Sequence, residues 1–145
     1  MKTILFPGSF DPFTIGHADI VERALEIFDN IVIAIGINEG KTPFMPLDQR
    51  VETIKQLYKD TPRVEVDTYK GLTTDYARQR GISTLLRGVR NISDFEYERN
   101  LADINRQISQ IETIILFCKP ELAAISSSTV RELHHFGKDI TNLLP

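Results

Sequence analysis

Residues 3–28 read TILFPGSFDPFTIGHADIVERALEIF, in which an apolar run, a turn rich in Gly and Pro, and a helical pattern follow one another. The run from Thr3 to Phe6 predicts a buried strand, and apolar residues from Ile20 to Phe28 recur at helical spacing. The turn between them ends at His17, in the first turn of the predicted helix. This order predicts the first unit of a parallel α/β sheet.

The same alternation continues along the chain. Four more apolar runs predict strands within residues 31–37, 64–66, 84–86 and 113–117. The segments between and after them predict helices around 51–58, 74–80, 93–108 and 129–136. Ser93 and Glu96 have the S-x-x-E form of a capping box, which predicts the start of the fourth helix. We expect one domain, 1–145, with a doubly wound, five-stranded parallel sheet of the Rossmann-like type.

Composition limits the classes of function. The formal net charge is -3 and charges of both signs are interspersed, so no polybasic stripe offers a general grip on nucleic acid. No apolar run approaches the roughly 20 residues that a membrane helix needs. The single cysteine, Cys118, cannot form an internal disulfide and is predicted to be a buried strand residue. We expect a cytoplasmic protein with neither a membrane nor a nucleic acid as partner.

Ligands of such sheets bind beyond the carboxyl ends of the strands, where the strand order reverses. His17 lies there, at a helix N-terminus that favours an anion and disfavours imidazolium. A neutral His17 could donate a hydrogen bond to a phosphate, with Gly8 and Gly16 allowing close approach and Ser9 offering a hydroxyl. The alternative is an ordinary strand-to-helix turn whose histidine has no role.

Two further loops carry candidate phosphate ligands. Arg87 and Arg90 flank Gly88 after the fourth strand, and each guanidinium can grip a phosphate with two hydrogen bonds. They could instead be surface arginines paired with Asp94 or Glu96.

After the fifth strand, hydroxyls and free amides converge in residues 123–132, where Ser128 or Thr129 could also serve merely as a helix cap. Lys41 lies in the loop after the second strand and could close over a phosphate or remain solvated. His134 and His135 are assigned no chemistry. Metal-ligand spacing, a nucleophilic triad and a P-loop are missing, so any phosphate chemistry must rest on positioning.

Taken together, these segments resemble the nucleotidyltransferase superfamily with its T-x-G-H signature, at residues 14–17, and specifically the phosphopantetheine adenylyltransferases. The resemblance rests on the Lys41 loop and on five motifs in order: PGSFDPFTIGH, RGVRNISDFEYE, LADINR, ISSSTVRE and DITNLLP. Motifs this short are weak singly, but their order on the predicted strand ends is specific.

The resemblance implies that ATP and 4'-phosphopantetheine react to give dephospho-coenzyme A and pyrophosphate, without a covalent enzyme intermediate. It implies Mg²⁺ carried with ATP, no metal ligand from the protein, and a homohexamer. The catalytic residues would be His17, Lys41 and Arg90. The phosphopantetheine would be bound by Ser9, Lys41, Thr73 and Arg87. The implied ATP-binding residues are Ser9, Phe10, His17, Gly88, Val89, Arg90, Glu98, Leu122, Ala123, Ala124, Ile125, Ser126, Ser127 and Ser128.

Two other readings remain open on the sequence. A sister enzyme with the same T-x-G-H core could use nicotinate mononucleotide, or CTP and glycerol 3-phosphate, although the segment from Arg87 to Glu98 argues against both. A non-catalytic module could bind ATP through the same loops. Turnover, and the effect of removing His17, would distinguish them.

Overall fold

The computed structural model describes residues 1–145. The strands are β1 Thr3–Gly8, β2 Asn30–Gly36, β3 Val64–Tyr69, β4 Thr84–Val89 and β5 Glu112–Phe117. The helices are α1 Ile15–Ala24, α2 Leu47–Leu57, α3 Thr73–Gln79, α4 Ile92–Ser109 and α5 Ser127–His135, with short 3-10 helices at Pro120–Leu122 and Thr141–Leu143. None of the helices has both the length and the apolar character needed to cross a membrane.

All strand pairs are parallel, and the order across the sheet is β3-β2-β1-β4-β5. The chain moves outward from β1 to β3 and then returns to the other side of β1 with β4. The order therefore reverses between β1 and β4, and the loops that follow these two strands lie side by side at the carboxyl edge. This confirms the predicted doubly wound parallel sheet.

Both faces of the sheet are covered. On one face Ile4 packs in a buried cluster with Val21 of α1, and on the other Leu5 packs in a second cluster with Ala77 of α3. Consecutive residues of β1 thus point into two different cores, because side chains alternate along a strand. This is why β1 and β2 read as continuous apolar runs rather than alternating ones.

The start of α4 differs from the prediction. Asn91 is the N-cap, and its side chain accepts a 2.8 Å hydrogen bond from the backbone N–H of Asp94. Ser93 is therefore already inside the helix, and the capping box predicted for Ser93 and Glu96 is wrong. Asparagine is as good an N-cap as serine, and the helix begins two positions earlier than the S-x-x-E pattern predicts.

Cys118 also differs from the prediction. β5 ends at Phe117, and Cys118 is only half-buried in the segment that follows. The apolar run ends one residue before the cysteine, so Cys118 was wrongly assigned to a buried strand.

Candidate active site

A cavity of about 730 Å³ opens at the carboxyl edge of the sheet, where the loops after β1, β2, β4 and β5 meet. Its wall gathers most of the residues that the sequence singled out. They are Ser9, Phe10, His17, Lys41, Arg87, Gly88, Arg90, Glu98, Leu122, Ile125, Ser126, Ser127 and Ser128. The expected convergence of separate turns on one rim is therefore present.

Four of the proposed site residues lie outside this wall: Thr73, Val89, Ala123 and Ala124. Val89 is buried in the protein. Thr73 is the first residue of α3, and its hydroxyl is 2.7 Å from the hydroxyl of Tyr69. Ala123 contributes a carbonyl that accepts a hydrogen bond from Arg90. Direct substrate contacts from these four stay predictions.

Thr14 orients the His17 ring. The backbone N–H of Thr14 donates to His17 Nδ1 at 2.9 Å, while the Thr14 side chain accepts from the His17 backbone N–H, so the two residues form a reciprocal capping box at the start of α1. Nδ1 is thereby an acceptor, and the proton of the neutral ring belongs on Nε2. Nε2 has no hydrogen-bond partner in the protein and is not sealed off, which leaves this N–H available to a ligand.

Aromatic rings hold His17 in place. Phe10 meets the imidazole edge-on at a centroid distance of 5.0 Å, and Phe13 stacks on it at 5.3 Å. Phe10 has a φ of 48°, in the left-handed region that bulky residues rarely adopt. A Cβ on Gly8 would lie 3.0 Å from the Phe10 ring, so a glycine at position 8 makes this packing possible.

His17 is neutral near pH 7. Burial, followed by the charges of Arg87 and Arg90, lowers the pKa of His17 from 6.5 to about 4. Burial and the two arginines, rather than the helix dipole, are therefore the main causes that disfavour imidazolium. The ring offers a hydrogen-bond donor rather than a positive charge.

Arg87 and Glu98 form a two-pronged ion pair in the cavity wall. Nε and Nη2 of Arg87 donate to the two oxygens of the buried Glu98 carboxylate at 2.9 and 2.7 Å, and Nη1 donates to the carbonyl of Pro7 at 2.7 Å. The alternative pairing with Glu96 is thus wrong for Arg87, whose partner lies two residues further along α4. The pair fixes the guanidinium and satisfies much of the charge of Glu98.

Arg90 links two loops. Its Nε lies 3.2 Å from the Asp94 carboxylate, which confirms the pairing with Asp94 that the sequence left open. Its Nη1 lies 3.4 Å from the carbonyl of Ala123, in the segment before α5. Partial exposure and long contacts leave Arg90 free to change partners when an anion enters the cavity. The ion pair with Asp94 therefore does not rule out a phosphate role.

The start of α5 lies against the β1–α1 turn. Ser126 is the N-cap, accepting from the backbone N–H of Thr129 at 3.1 Å, so the predicted caps Ser128 and Thr129 are wrong by two or three positions. The Ser127 hydroxyl donates to the carbonyl of Pro12 at 2.8 Å. The starts of both helices line the same cavity, through Gly16 and His17 of α1 and Ser127 and Ser128 of α5.

Sequence reasoning missed several residues of the wall, among them Asp11, Asn38, Arg50, Tyr97, Cys118 and Arg131. Arg131 stands in the first turns of α5, and its place after the Ser-rich segment could have flagged it. Arg50 lies in α2, where the apolar spacing drew attention to other positions. Nothing local to Arg50 indicates the contact that its guanidinium makes with the distant β1–α1 turn.

The comparisons with known proteins identify the family. A sequence model described as cytidylyltransferase-like matches residues 5–133. The phosphopantetheine adenylyltransferase of Phocaeicola vulgatus is 54% identical over the whole of this chain and 96% of its own length. That of Porphyromonas gingivalis is 55% identical over 97% of this chain and 92% of its own. This chain belongs to the phosphopantetheine adenylyltransferase family.

A solved structure outside that family has the same fold. A bifunctional NMN adenylyltransferase/ADP ribose pyrophosphatase from Francisella tularensis superposes with a TM-score of 0.72 at 17% identity, covering 99% of this chain and 44% of its own. At this low sequence identity, the similarity establishes only that the two proteins share a fold. In the phosphopantetheine adenylyltransferase family member described here, that fold places a neutral imidazole and two arginines in one cavity.

Proposed function

We propose that this protein transfers the adenylyl group of ATP to 4'-phosphopantetheine, giving dephospho-coenzyme A and pyrophosphate. The site observation that supports this most directly is the uncharged His17, with an unpaired Nε2, in the same cavity as Arg87 and Arg90. Full-length similarity to named phosphopantetheine adenylyltransferases supports the choice of acceptor.

The reaction needs no general base. A phosphate monoester is already largely ionised near pH 7, so an oxygen of the acceptor phosphate can attack the α-phosphorus of ATP directly. The new P–O bond forms as the bond from the α-phosphorus to the bridging oxygen of pyrophosphate breaks in line with it, and the electron pair leaves with pyrophosphate. We assign to His17 Nε2–H a hydrogen bond to a non-bridging α-oxygen, where negative charge increases in the transition state.

The other residues hold the two polyanions in place. Lys41 and Arg87 would hold the acceptor phosphate, with Ser9 between the substrates, and Arg90 would exchange its 3.4 Å carbonyl contact for the ATP phosphates. The start of α5 would bind phosphates through its amides and hydroxyls. Alignment of this kind can contribute on the order of 7 to 11 kcal/mol.

Mg²⁺ would come with the nucleotide. The cavity carboxylates are engaged by the protein itself: Asp11 by backbone amides, Glu98 by Arg87, Asp94 by Arg90, and Glu39 by Lys70. No group of three or more His, Cys, Asp or Glu side chains is arranged to hold a metal ion. An ion bound by the triphosphate fits these surroundings, and it would neutralise the departing pyrophosphate.

Assembly into a homohexamer is part of the proposal. Tyr97, Leu101, Ile104 and Ile108 recur at helical spacing on α4 and are exposed, and we call them the α4 apolar face. Phe117 at the end of the edge strand β5 is exposed as well. Apolar patches of this kind usually mark protein contacts. The number of six rests on the resemblance, whereas a cytoplasmic location and a single domain over 1–145 are expected from length and composition.

A pyrophosphate-release assay with an acceptor panel tests the function. We expect release with ATP and 4'-phosphopantetheine, and formation of dephospho-coenzyme A detected by mass spectrometry. Robust turnover only with nicotinate mononucleotide, or only with CTP and glycerol 3-phosphate, would overturn the acceptor. ATP binding without pyrophosphate release across the panel would favour a nucleotide sensor.

A further inference from the structure

Two charged side chains that the proposed mechanism does not use lie in the wall of the cavity. Asp11, in the β1–α1 turn, and Arg50, in α2, are each only 8% exposed. Nearly complete burial of a carboxylate and a guanidinium is costly unless each makes several hydrogen bonds. Their partners are therefore informative about what the pair does.

The Asp11 carboxylate holds the backbone of the loop that carries Lys41. Its Oδ2 accepts from the N–H of Phe44 and its Oδ1 from the N–H of Met45, both at 2.8 Å. Phe44 is three residues from Lys41 in the sequence. Because both oxygens are occupied by amides, Asp11 is not placed to act as a base or as a ligand for a phosphate.

Arg50 ties the same two segments together from the other side. Its Nε donates to the carbonyl of Met45 at 2.9 Å, and its Nη1 donates to the carbonyl of Ser9 at 2.8 Å. The Nε atom lies 4.0 Å from Asp11 Oδ1, so the two charges also compensate each other. The loop from β2 to α2 is thus fixed to the β1–α1 turn at Met45 by both a donor and an acceptor.

A third loop meets the same point. The backbone carbonyl of Asp11 accepts from Arg131 Nη1 at 2.8 Å, and Arg131 Nη2 lies 3.2 Å from the hydroxyl of Ser128. Asp11 therefore touches the segments that carry Ser9, Lys41 and Ser128. The exposed Lys41 forms no ion pair in the protein, so its position depends on how its loop is anchored.

We propose that Asp11 and Arg50 are positioning residues that set the distance between Lys41 and the Ser9–His17 turn, and so determine how the acceptor phosphate is held. This inference rests on the proposed function for its catalytic consequence. It assigns the pair to the acceptor side of the cavity, because their side chains anchor the loop that carries Lys41, whereas the contact with α5 is made by the backbone carbonyl of Asp11. Misplacement of a reacting group by 1 Å can cost about 100-fold in rate.

The test is a double-mutant cycle with Asp11→Asn, Lys41→Ala and the double variant, assayed as full-length protein. An asparagine keeps one acceptor oxygen but turns its NH₂ toward the other amide, so one anchor is lost. We expect Asp11→Asn to raise KM for 4'-phosphopantetheine or lower kcat/KM for it by about 10- to 100-fold, while Kd for ATP alone stays within about twofold. Lys41→Ala should then have little further effect in the Asp11→Asn background. Asp48→Asn, the same change at an exposed position of α2, should match the wild type.

Amide hydrogen exchange provides a readout independent of turnover. The amides of Phe44 and Met45 should exchange faster in Asp11→Asn than in the wild type or Asp48→Asn. Arg50→Lys keeps the positive charge but loses the guanidinium that donates to two carbonyls. It should also speed exchange at residues 44 and 45, and it replaces Asp11→Asn in the test if that variant does not fold.

The outcomes separate the two proposals. Three results would each overturn the positioning role. They are losses of kcat/KM that multiply in the double variant, a loss of ATP affinity as large as the loss of kcat/KM in Asp11→Asn, and unchanged amide exchange at residues 44 and 45. If the wild type releases no pyrophosphate with 4'-phosphopantetheine, the proposed function fails, and the exchange data still decide whether Asp11 holds the loop.

Discussion

The backbone N–H of Thr14 donates to Nδ1 of His17 at 2.9 Å. Two residues of the T-x-G-H segment thus fix the tautomer of the ring and leave Nε2–H as its free donor. The same contact is half of the capping box that begins α1. The start of helix α1 and the orientation of the donor that we propose for catalysis therefore depend on the same two residues.

His17→Ala should impair turnover far more than nucleotide binding. Loss of one donor that acts mainly in the transition state typically lowers kcat by about 100- to 1,000-fold. We expect Kd for ATP, measured by calorimetry, to change by less than about tenfold. The matched control is His135→Ala, at an exposed position of α5, which should retain wild-type kcat. Equal losses in kcat and ATP affinity would count against the assigned role.

The largely buried, neutral His17 makes stability depend on pH. The unfolded chain protonates this residue near its ordinary pKa of 6.5, whereas the folded protein does so only near about 4. Protons therefore favour the unfolded state between these values, and stability falls as the pH drops from 6.5 toward 4, with no further loss from this residue below 4. The full contribution is on the order of 3 kcal/mol.

Urea unfolding of the wild type and of His17→Gln between pH 4 and pH 7 measures this contribution. Glutamine does not titrate, so the difference between the two free energies of unfolding should shrink, or reverse in sign, as the pH is lowered. Parallel pH profiles would contradict the depressed pKa.

Glu98→Ala should destabilise the protein and disturb acceptor binding. Breaking a buried ion pair costs about 3 to 5 kcal/mol, but the partial exposure of Arg87 reduces our expectation to about 1 to 3 kcal/mol. The freed guanidinium should also raise KM for 4'-phosphopantetheine. Thermal unfolding and steady-state kinetics measure both, with the exposed Glu96→Ala as control. An unaltered melting temperature in Glu98→Ala would argue that the ion pair contributes nothing.

A charge on the α4 apolar face should disrupt assembly. Ile104→Glu would place a carboxylate in the centre of the proposed contact, and we expect a smaller species by sedimentation velocity with an unchanged far-ultraviolet circular dichroism spectrum. Arg99→Glu, at an exposed position on the opposite side of the same helix, should leave the assembly intact. A wild-type protein that sediments as a monomer would refute the proposed hexamer.

The fold was predictable because β1 and β2 are apolar on both faces. β1 and β2 are buried at nearly every position, so their continuous apolar runs predict them directly. β3 was predicted too short, since it continues through Asp67 to Tyr69 at the edge of the sheet, where polar residues are tolerated. Helix starts were less predictable, because Asn91 and Ser93 are both acceptable caps and only the tertiary structure selects between them.

The convergence of the loops on one cavity was predicted correctly, but the contacts within them were not. The convergence of His17, Arg90 and Ser128 follows from a general rule about parallel sheets. The partnership of Arg87 with Glu98, or of Asp11 with the amides of residues 44 and 45, depends on how separate loops fold over one another. No periodicity or motif encodes such contacts, so side chains that organise the site were overlooked.

The half-buried Cys118 in the cavity wall is a site for chemical labelling. It is the sole thiol of the chain, so a maleimide fluorophore attaches at one defined position without any engineering. Burial raises the pKa of Cys118, and labelling will therefore need a mildly alkaline buffer. A dye at that position would report on occupancy of the cavity through its emission, and bound nucleotide should slow its attachment.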